Sequence, residues 1–254
     1  MKKSIIVIMI VLSFLGCKKK ANTVPGSIQP GTPEYIMNQG LFYLNEGNID
    51  VAEKKFLTAI SKKPTLEGAL NGLGLVYMYK RDFPKSISYF KRLMRLNPAL
   101  SDTYNNLGLI YTELNKYDLA KEHLLKAANS REYRTPENAY VNLAMLELKY
   151  NKLESAKRYT DKALNKNKNF APTYNLKGII ADKENKYQEA LAYYKKALSL
   201  LTEDDVNILI NIGQAYLKMG DKRKALDMME KALTKAETEP LKVYIRDLIK
   251  QLEK

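Results

Sequence analysis

The sequence is short of the residues that most enzyme centres need. Among 254 residues it has one cysteine, one histidine and no tryptophan. A single cysteine cannot close a disulfide within the chain, and one cysteine with one histidine cannot build a Cys/His zinc site. Any Ser-His-Asp or Cys-His catalytic group would have to use His123, the sole imidazole. No glycine-rich phosphate loop, metal-ligand cluster or pair of carboxylates with a stated partner appears. The chain therefore reads as a non-enzyme with no cofactor and no metal. Disorder is excluded as well, because 45% of the residues are apolar. Negative charge is the scarcer sign: 28 Asp and Glu stand against 42 Lys and Arg, a formal net charge of +14. That balance favours an acidic partner or an anionic surface.

The one long apolar run comes first. Met1-Lys2-Lys3 precedes Ser4–Gly16, a positive start followed by an apolar stretch too short to span a bilayer, which is the pattern of a secretory signal peptide. Its end, Leu12-Ser13-Phe14-Leu15-Gly16-Cys17, resembles a bacterial lipoprotein box, although Phe14 stands where that family usually has Leu. The resemblance implies cleavage after residue 16 and lipid on Cys17, where each buried methylene adds about 0.8 kcal/mol of anchoring. Lys18 follows in place of the Asp that retains lipoproteins in the inner membrane. The expected location is thus the outer membrane, facing the periplasm, and a nucleic-acid partner is excluded with it. Residues 17–32 carry no apolar period and two Pro-Gly steps, as a flexible tether of roughly 20 Å would.

From residue 33 onward the chain repeats itself. Gly40, Gly74, Gly108, Ala144, Gly178 and Gly213 fall 34, 34, 36, 34 and 35 residues apart. Small residues recur twelve positions later (Ala52, Ser86, Ala120, Ala156, Ala190, Ala225), and again at Ala59, Leu93, Ala127, Ala163, Ala197 and Ala232. Such columns predict a pair of short antiparallel helices per copy, crossing where side chains are small and stacking to make one continuous core. This pattern resembles the tetratricopeptide repeat closely, with copies at 33–66, 67–100, 101–136, 137–170, 171–205 and 206–240. The implied fold is all-α, an α-solenoid or tetratricopeptide superhelix of about six hairpins, with residues 241–254 as a capping helix whose outer side is charged. Pro64 and Pro98 are expected at the joints between copies, where a helix start tolerates a residue without an amide donor, and His123 at the surface. Glu147 and Lys177, standing where the family has Tyr and Leu, predict looser packing in repeats four and five.

Within this family the first helix of each repeat lines a concave wall, mainly through positions 2, 5, 6, 9, 12 and 13. Position 6 reads Asn38, Gly72, Asn106, Asn142, Leu176 and Asn211, and position 5 adds Asn71, Asn105 and Asn175. Carboxamides carry both donors and an acceptor, so these resemble the asparagine ladder that grips an extended peptide's main chain. The plainer reading is that Asn tolerates a solvated helix face. Position 13 carries Tyr79, which faces the groove, and then Lys149, Lys183 and Lys218, a cationic row suited to an acidic segment or merely solvated. Leu41, Leu75, Leu109, Met145 and Ile179 at position 9 form an apolar strip. The Lys and Asn set of a chaperone-type carboxylate clamp is absent.

The combination of lipoprotein signal, tether, six repeats and a third repeat lengthened at Asn129–Glu137 is similar to the type IV pilus biogenesis lipoproteins called pilotins. That resemblance implies binding of an outer-membrane secretin subunit and its delivery to the membrane. A scaffold for peptidoglycan hydrolases or for an outer-membrane assembly complex is the alternative. Oligomeric state is left open by the sequence.

Overall fold

A computed structural model describes residues 29–252; Cys17, the signal segment and most of the tether lie outside the described residues. The chain divides into two compact units, Met1–Leu96 and Asn97–Lys254. The first holds α1 (Pro33–Asn45), α2 (Ile49–Lys62), α3 (Glu67–Tyr79) and α4 (Phe83–Leu96). The second holds α5 (Ser101–Glu113), α6 (Tyr117–Asn129), α7 (Pro136–Lys149), α8 (Leu153–Lys166), α9 (Ala171–Lys183), α10 (Tyr187–Ser199), α11 (Val206–Lys218), α12 (Lys222–Lys235) and α13 (Glu239–Leu252). Among the described residues there is no strand, and no helix is long and apolar enough to cross a membrane.

Every hairpin turns the same way because the fifteenth residue of every copy adopts positive φ. Gly47 and Gly220 do so freely, Asn115, Asn151 and Asn185 tolerate it, and Arg81 is the outlier at 58°. The next residue then donates its amide across the turn to a carbonyl five residues back, as in Asn48 to Tyr43 at 2.8 Å and Lys186 to Ala181 at 2.9 Å. That bond closes the first helix. Side-chain oxygens of Asn48, Asp82 and Asp221 then accept from the opening turn of α2, α4 and α12. Pro64 and Pro98 lie in the joints before α3 and α5, each inside a turn that the Leu66 or Leu100 amide closes on the Lys63 or Asn97 carbonyl.

Inside each hairpin a side chain of the second helix lies on the small residue of the first. A Cβ added at Gly40, Gly74, Gly108, Gly178 or Gly213 would come under 3.0 Å from Phe56, Phe90, Leu124, Tyr194 or Met229 respectively. Ala144 alone carries a Cβ in this column, and there the facing residue is Thr160, the smallest of its own column; both are fully buried. The two columns vary together so that each crossing is filled once. Ser86 keeps its hydroxyl dry by donating to the Gly74 carbonyl at 2.6 Å.

Within each unit, a second helix is covered by the first helix that follows it. In one unit Ala52, Phe56 and Ala59 meet Ala69, Leu73, Val76 and Tyr77. In the other, Ala190, Tyr194 and Ala197 meet Ile208, Ile212 and Ala215. The last second helix, α12, is covered by α13 through Ile245 and Leu252. In α13, Leu241 and Ile245 occupy the columns of Ile208 and Ile212 in α11, and Leu248 and Ile249 those of Ala215 and Tyr216, so it is patterned like the first half of a seventh copy. Its outer side is not wholly charged, since Val243 and Tyr244 are exposed on it. The lengthened third joint runs from Ser130 to Thr135 and buries Tyr133, whose hydroxyl is pushed up to about 12 by desolvation.

Candidate protein-binding site

In the second unit α5, α7, α9 and α11 stand side by side and form one wall. Two asparagine pairs cross its seams. Asn142 Nδ2 donates to Asn105 Oδ1 at 2.9 Å, and Asn211 Nδ2 donates to Asn175 Oδ1 at 3.1 Å. Each joins position 6 of one first helix to position 5 of the one before. At the seam between them the same two positions are Val141 and Leu176, both buried. A seam closed from water needs both members polar or both apolar, since a lone carboxamide against a methyl group would lose a hydrogen bond. The asparagines are thus partly spent on one another. Asn142 and Asn211, half-buried, keep an acceptor and one N–H outside these bonds. Asn105 and Asn106 are buried.

The lysine row is stitched in the same direction. Lys149 Nζ donates to the Thr112 carbonyl at 2.6 Å, and Lys218 pairs with Asp182 on the preceding first helix. Lys183 is exposed and has no ion-pair partner among the described residues. Beside this row run Leu109, Met145 and Ile179, all half-buried, with Gln214 at the end. In the first unit Asn38 and Asn71 are half-buried, while Leu41 and Tyr79 are exposed. Position 6 there is Gly72 because the Phe56 ring fills that space, coming under 3.0 Å from where a Cβ would be.

Sequence reasoning missed the charges inside the joints. Glu147 is fully buried and does not loosen its repeat. Tyr117 Oη donates to both its oxygens at 3.0 Å, and Lys121 Nζ lies 2.8 Å away. Hydrogen bonding to Glu147 and Tyr117 holds the Lys121 pKa well above the usual lysine range. Lys157 binds Glu184 at 2.5 Å across the next joint, and the hydrogen bond from Lys157 lowers the pKa of that carboxyl. In the first unit the polarity is reversed: Glu53 on α2 receives Lys80 at 2.5 Å and Tyr77 Oη at 2.6 Å, and its pKa falls. Aligning position 21 with positions 11 and 14 of the following copy would have revealed all three. Lys177 is likewise held, by Asp161 at 2.6 Å. His123 is half-buried, its ring against Tyr111 at 5.1 Å and its Nδ1 3.0 Å from the Leu119 carbonyl. No group of three or more His, Cys, Asp or Glu that could hold a metal occurs among the described residues.

This geometry is a wall of paired amides, cations and a hydrophobic strip, and known proteins identify the architecture. Tetratricopeptide repeat profiles match residues 69–104 and 101–133. The chain is a tetratricopeptide-repeat protein. A profile of the tetratricopeptide repeat protein 21 C-terminal ARM domain matches residues 126–245 of these repeats. Among curated proteins none matches this tetratricopeptide chain by sequence. Its fold resembles that of PilF from Pseudomonas aeruginosa, at 20% identity over 85% of this chain and 96% of that one, with a TM-score of 0.67. PilW, described as a widely conserved type IV pilus biogenesis factor, gives 18% identity, 84% and 98% coverage and a TM-score of 0.71. A tetratricopeptide repeat protein from Parabacteroides merdae gives 18% identity, 87% and 84% coverage and a TM-score of 0.73. At these identities the likeness is one of fold: an all-α tetratricopeptide solenoid, the architecture of a protein–protein interaction scaffold.

Proposed function

We propose that this protein is exported, anchored by lipid on Cys17 to the outer membrane facing the periplasm, and holds an extended segment of another protein against its first-helix wall. Within that role we propose the task of a pilotin, which carries a secretin subunit for type IV pilus assembly. The observation that carries the binding reading is the pair of asparagine rungs, Asn142 on Asn105 and Asn211 on Asn175, beside the strip of Leu109, Met145 and Ile179. The seam bonds fix the rotamers of Asn142 and Asn211, so their remaining groups are pre-oriented toward a partner's main chain. Lys183 adds a cation for an acidic stretch. The lipoprotein box, the tether, the lengthened third joint and the folds of PilF and PilW support the pilotin task.

Three measurements test this reading. The Cys17→Ser chain is expected in the soluble periplasmic fraction, and its retention in membranes after an alkaline wash would refute the anchor. Crosslinking at groove positions in intact cells is expected to recover a secretin. Recovery of peptidoglycan hydrolases would replace the pilotin task with the scaffold alternative. Replacing Asn142 and Asn211 together by Ala is expected to weaken binding of the recovered partner roughly tenfold, with the fold unchanged.

A further inference from the structure

In α2 and in α10 the second helix presents positions 20, 24 and 27 to positions 3, 7, 10 and 11 of the first helix that follows in the same unit. The chain completes this arrangement at its C-terminal end, where α13 covers α12. At the other end α1 has no helix in front of it among the described residues, yet its front columns are aromatic: Tyr35, Phe42 and Tyr43 around Gln39. Phe42 is 51% exposed. Its counterparts Val76, Leu146, Ile180 and Ala215 are at most 3% exposed. An end made to face water looks different. In α13 the column that elsewhere holds the small crossing residue holds Arg246, exposed and paired with Glu239 at 2.7 Å.

Charge marks the missing neighbour as well. Glu46 occupies the column of Glu184, which Lys157 of the preceding second helix holds at 2.5 Å. Glu46 is exposed and has no ion-pair partner among the described residues. Tyr43 occupies the column of Tyr77 and Glu147, both bonded to the same position of the helix before them.

We propose that the front face of α1 docks one amphipathic helix of another protein, seated where the second helix of a preceding repeat would lie. That helix has small residues where it crosses α1, an apolar stripe over Phe42 and a Lys or Arg opposite Glu46. Residues 18–28 contain three Lys, a Pro and a Gly with no apolar period, and do not have this composition. The site is distinct from the wall of Asn142 and Asn211, so either can fail alone.

The probe is a helix-stapled fluorescent peptide with the sequence of residues 151–168, which carries Lys157, titrated against the full-length chain in detergent micelles. Saturable binding of one peptide per chain is expected. Phe42→Ala should weaken it at least roughly tenfold, and Glu46→Lys should weaken it in a way that a Lys157→Glu peptide restores. Phe42 is exposed, so circular dichroism and Tm should not move. Absence of saturable binding, or binding indifferent to both substitutions, would overturn the proposal. A Phe42-dependent dimer in sedimentation would overturn it in favour of a second copy. Binding that appears only after proteolysis removes the residues before α1 would overturn it in favour of the chain's own N-terminal segment.

Discussion

Single residues in this array are judged by their column. Arg81 holds at φ 58° a turn that Gly or Asn holds in the other five hairpins, with its guanidinium 5.4 Å from the Phe83 ring centroid. Relief of the left-handed strain should outweigh that contact. Arg81→Gly is expected to raise stability by about 0.5–1 kcal/mol in urea unfolding. Thr173 is fully buried and its Oγ1 has no hydrogen-bond partner among the described residues. Thr173→Val keeps the shape and removes the unmet hydroxyl, and is expected to stabilise by about 1 kcal/mol. At the crossings, Gly178→Ala drives a methyl group into the Tyr194 ring and should cost about 1–3 kcal/mol. A cycle with Tyr194→Thr, which copies the Ala144 and Thr160 pair, should return a favourable coupling of about 1 kcal/mol or more. The glycine column was plain in the sequence. Its partner column was not, because Phe, Leu, Thr, Tyr and Met share no chemistry and differ only in volume.

At the scale of the helices, stacking order is written in buried and half-buried charge. Acid on the second helix meets base on the next first helix at Glu53 and Lys80, and the reverse holds at Lys121 with Glu147 and Lys157 with Glu184. A hairpin stacked in the wrong place would set like charges together, so these pairs favour one register. Removing Lys121 leaves Glu147 buried without a cation, whereas removing Glu147 leaves a lysine that reaches water. Lys121→Met should therefore cost about 3 kcal/mol and Glu147→Met clearly less, by chemical denaturation. Glu53 and Glu184 have pKa values below their ordinary value of 4.5, held there by the hydrogen bonds from Lys80 and Lys157. A depressed folded-state pKa stabilises above the unfolded value and is lost as pH falls through the folded one. Tm should be flat around neutrality and drop once pH passes below 4.5, and Lys80→Met should flatten the part of that drop due to Glu53.

At the scale of the molecule, the terminal helices matter more than a hairpin inside a unit, because a hairpin flanked within its unit is covered by its neighbours. Truncation before Glu239 uncovers Met229 and Ala232 by removing Ile245 and Leu252. Loss of those two buried side chains should cost on the order of 3–6 kcal/mol and expose an apolar face that aggregates on light scattering. The opposite end carries Phe42 with no such cover among the described residues. The sequence already held the evidence for that contrast, in Phe42 and Arg246, but it becomes visible only once the columns are known to face a neighbouring helix.

By itself the sequence determined the hairpin, its period, its turns and its small-residue crossings, because these depend on contacts made within 34 residues or on backbone conformations that few residues tolerate. Tertiary structure decided how the polar groups are used. Whether Asn142 waits for a partner or holds Asn105, whether Lys218 faces solvent or holds Asp182, and whether Glu147 weakens a joint or locks it all turn on side chains from adjacent copies meeting across a seam. A column inspected one repeat at a time cannot contain that information, since a hydrogen bond belongs to two positions at once.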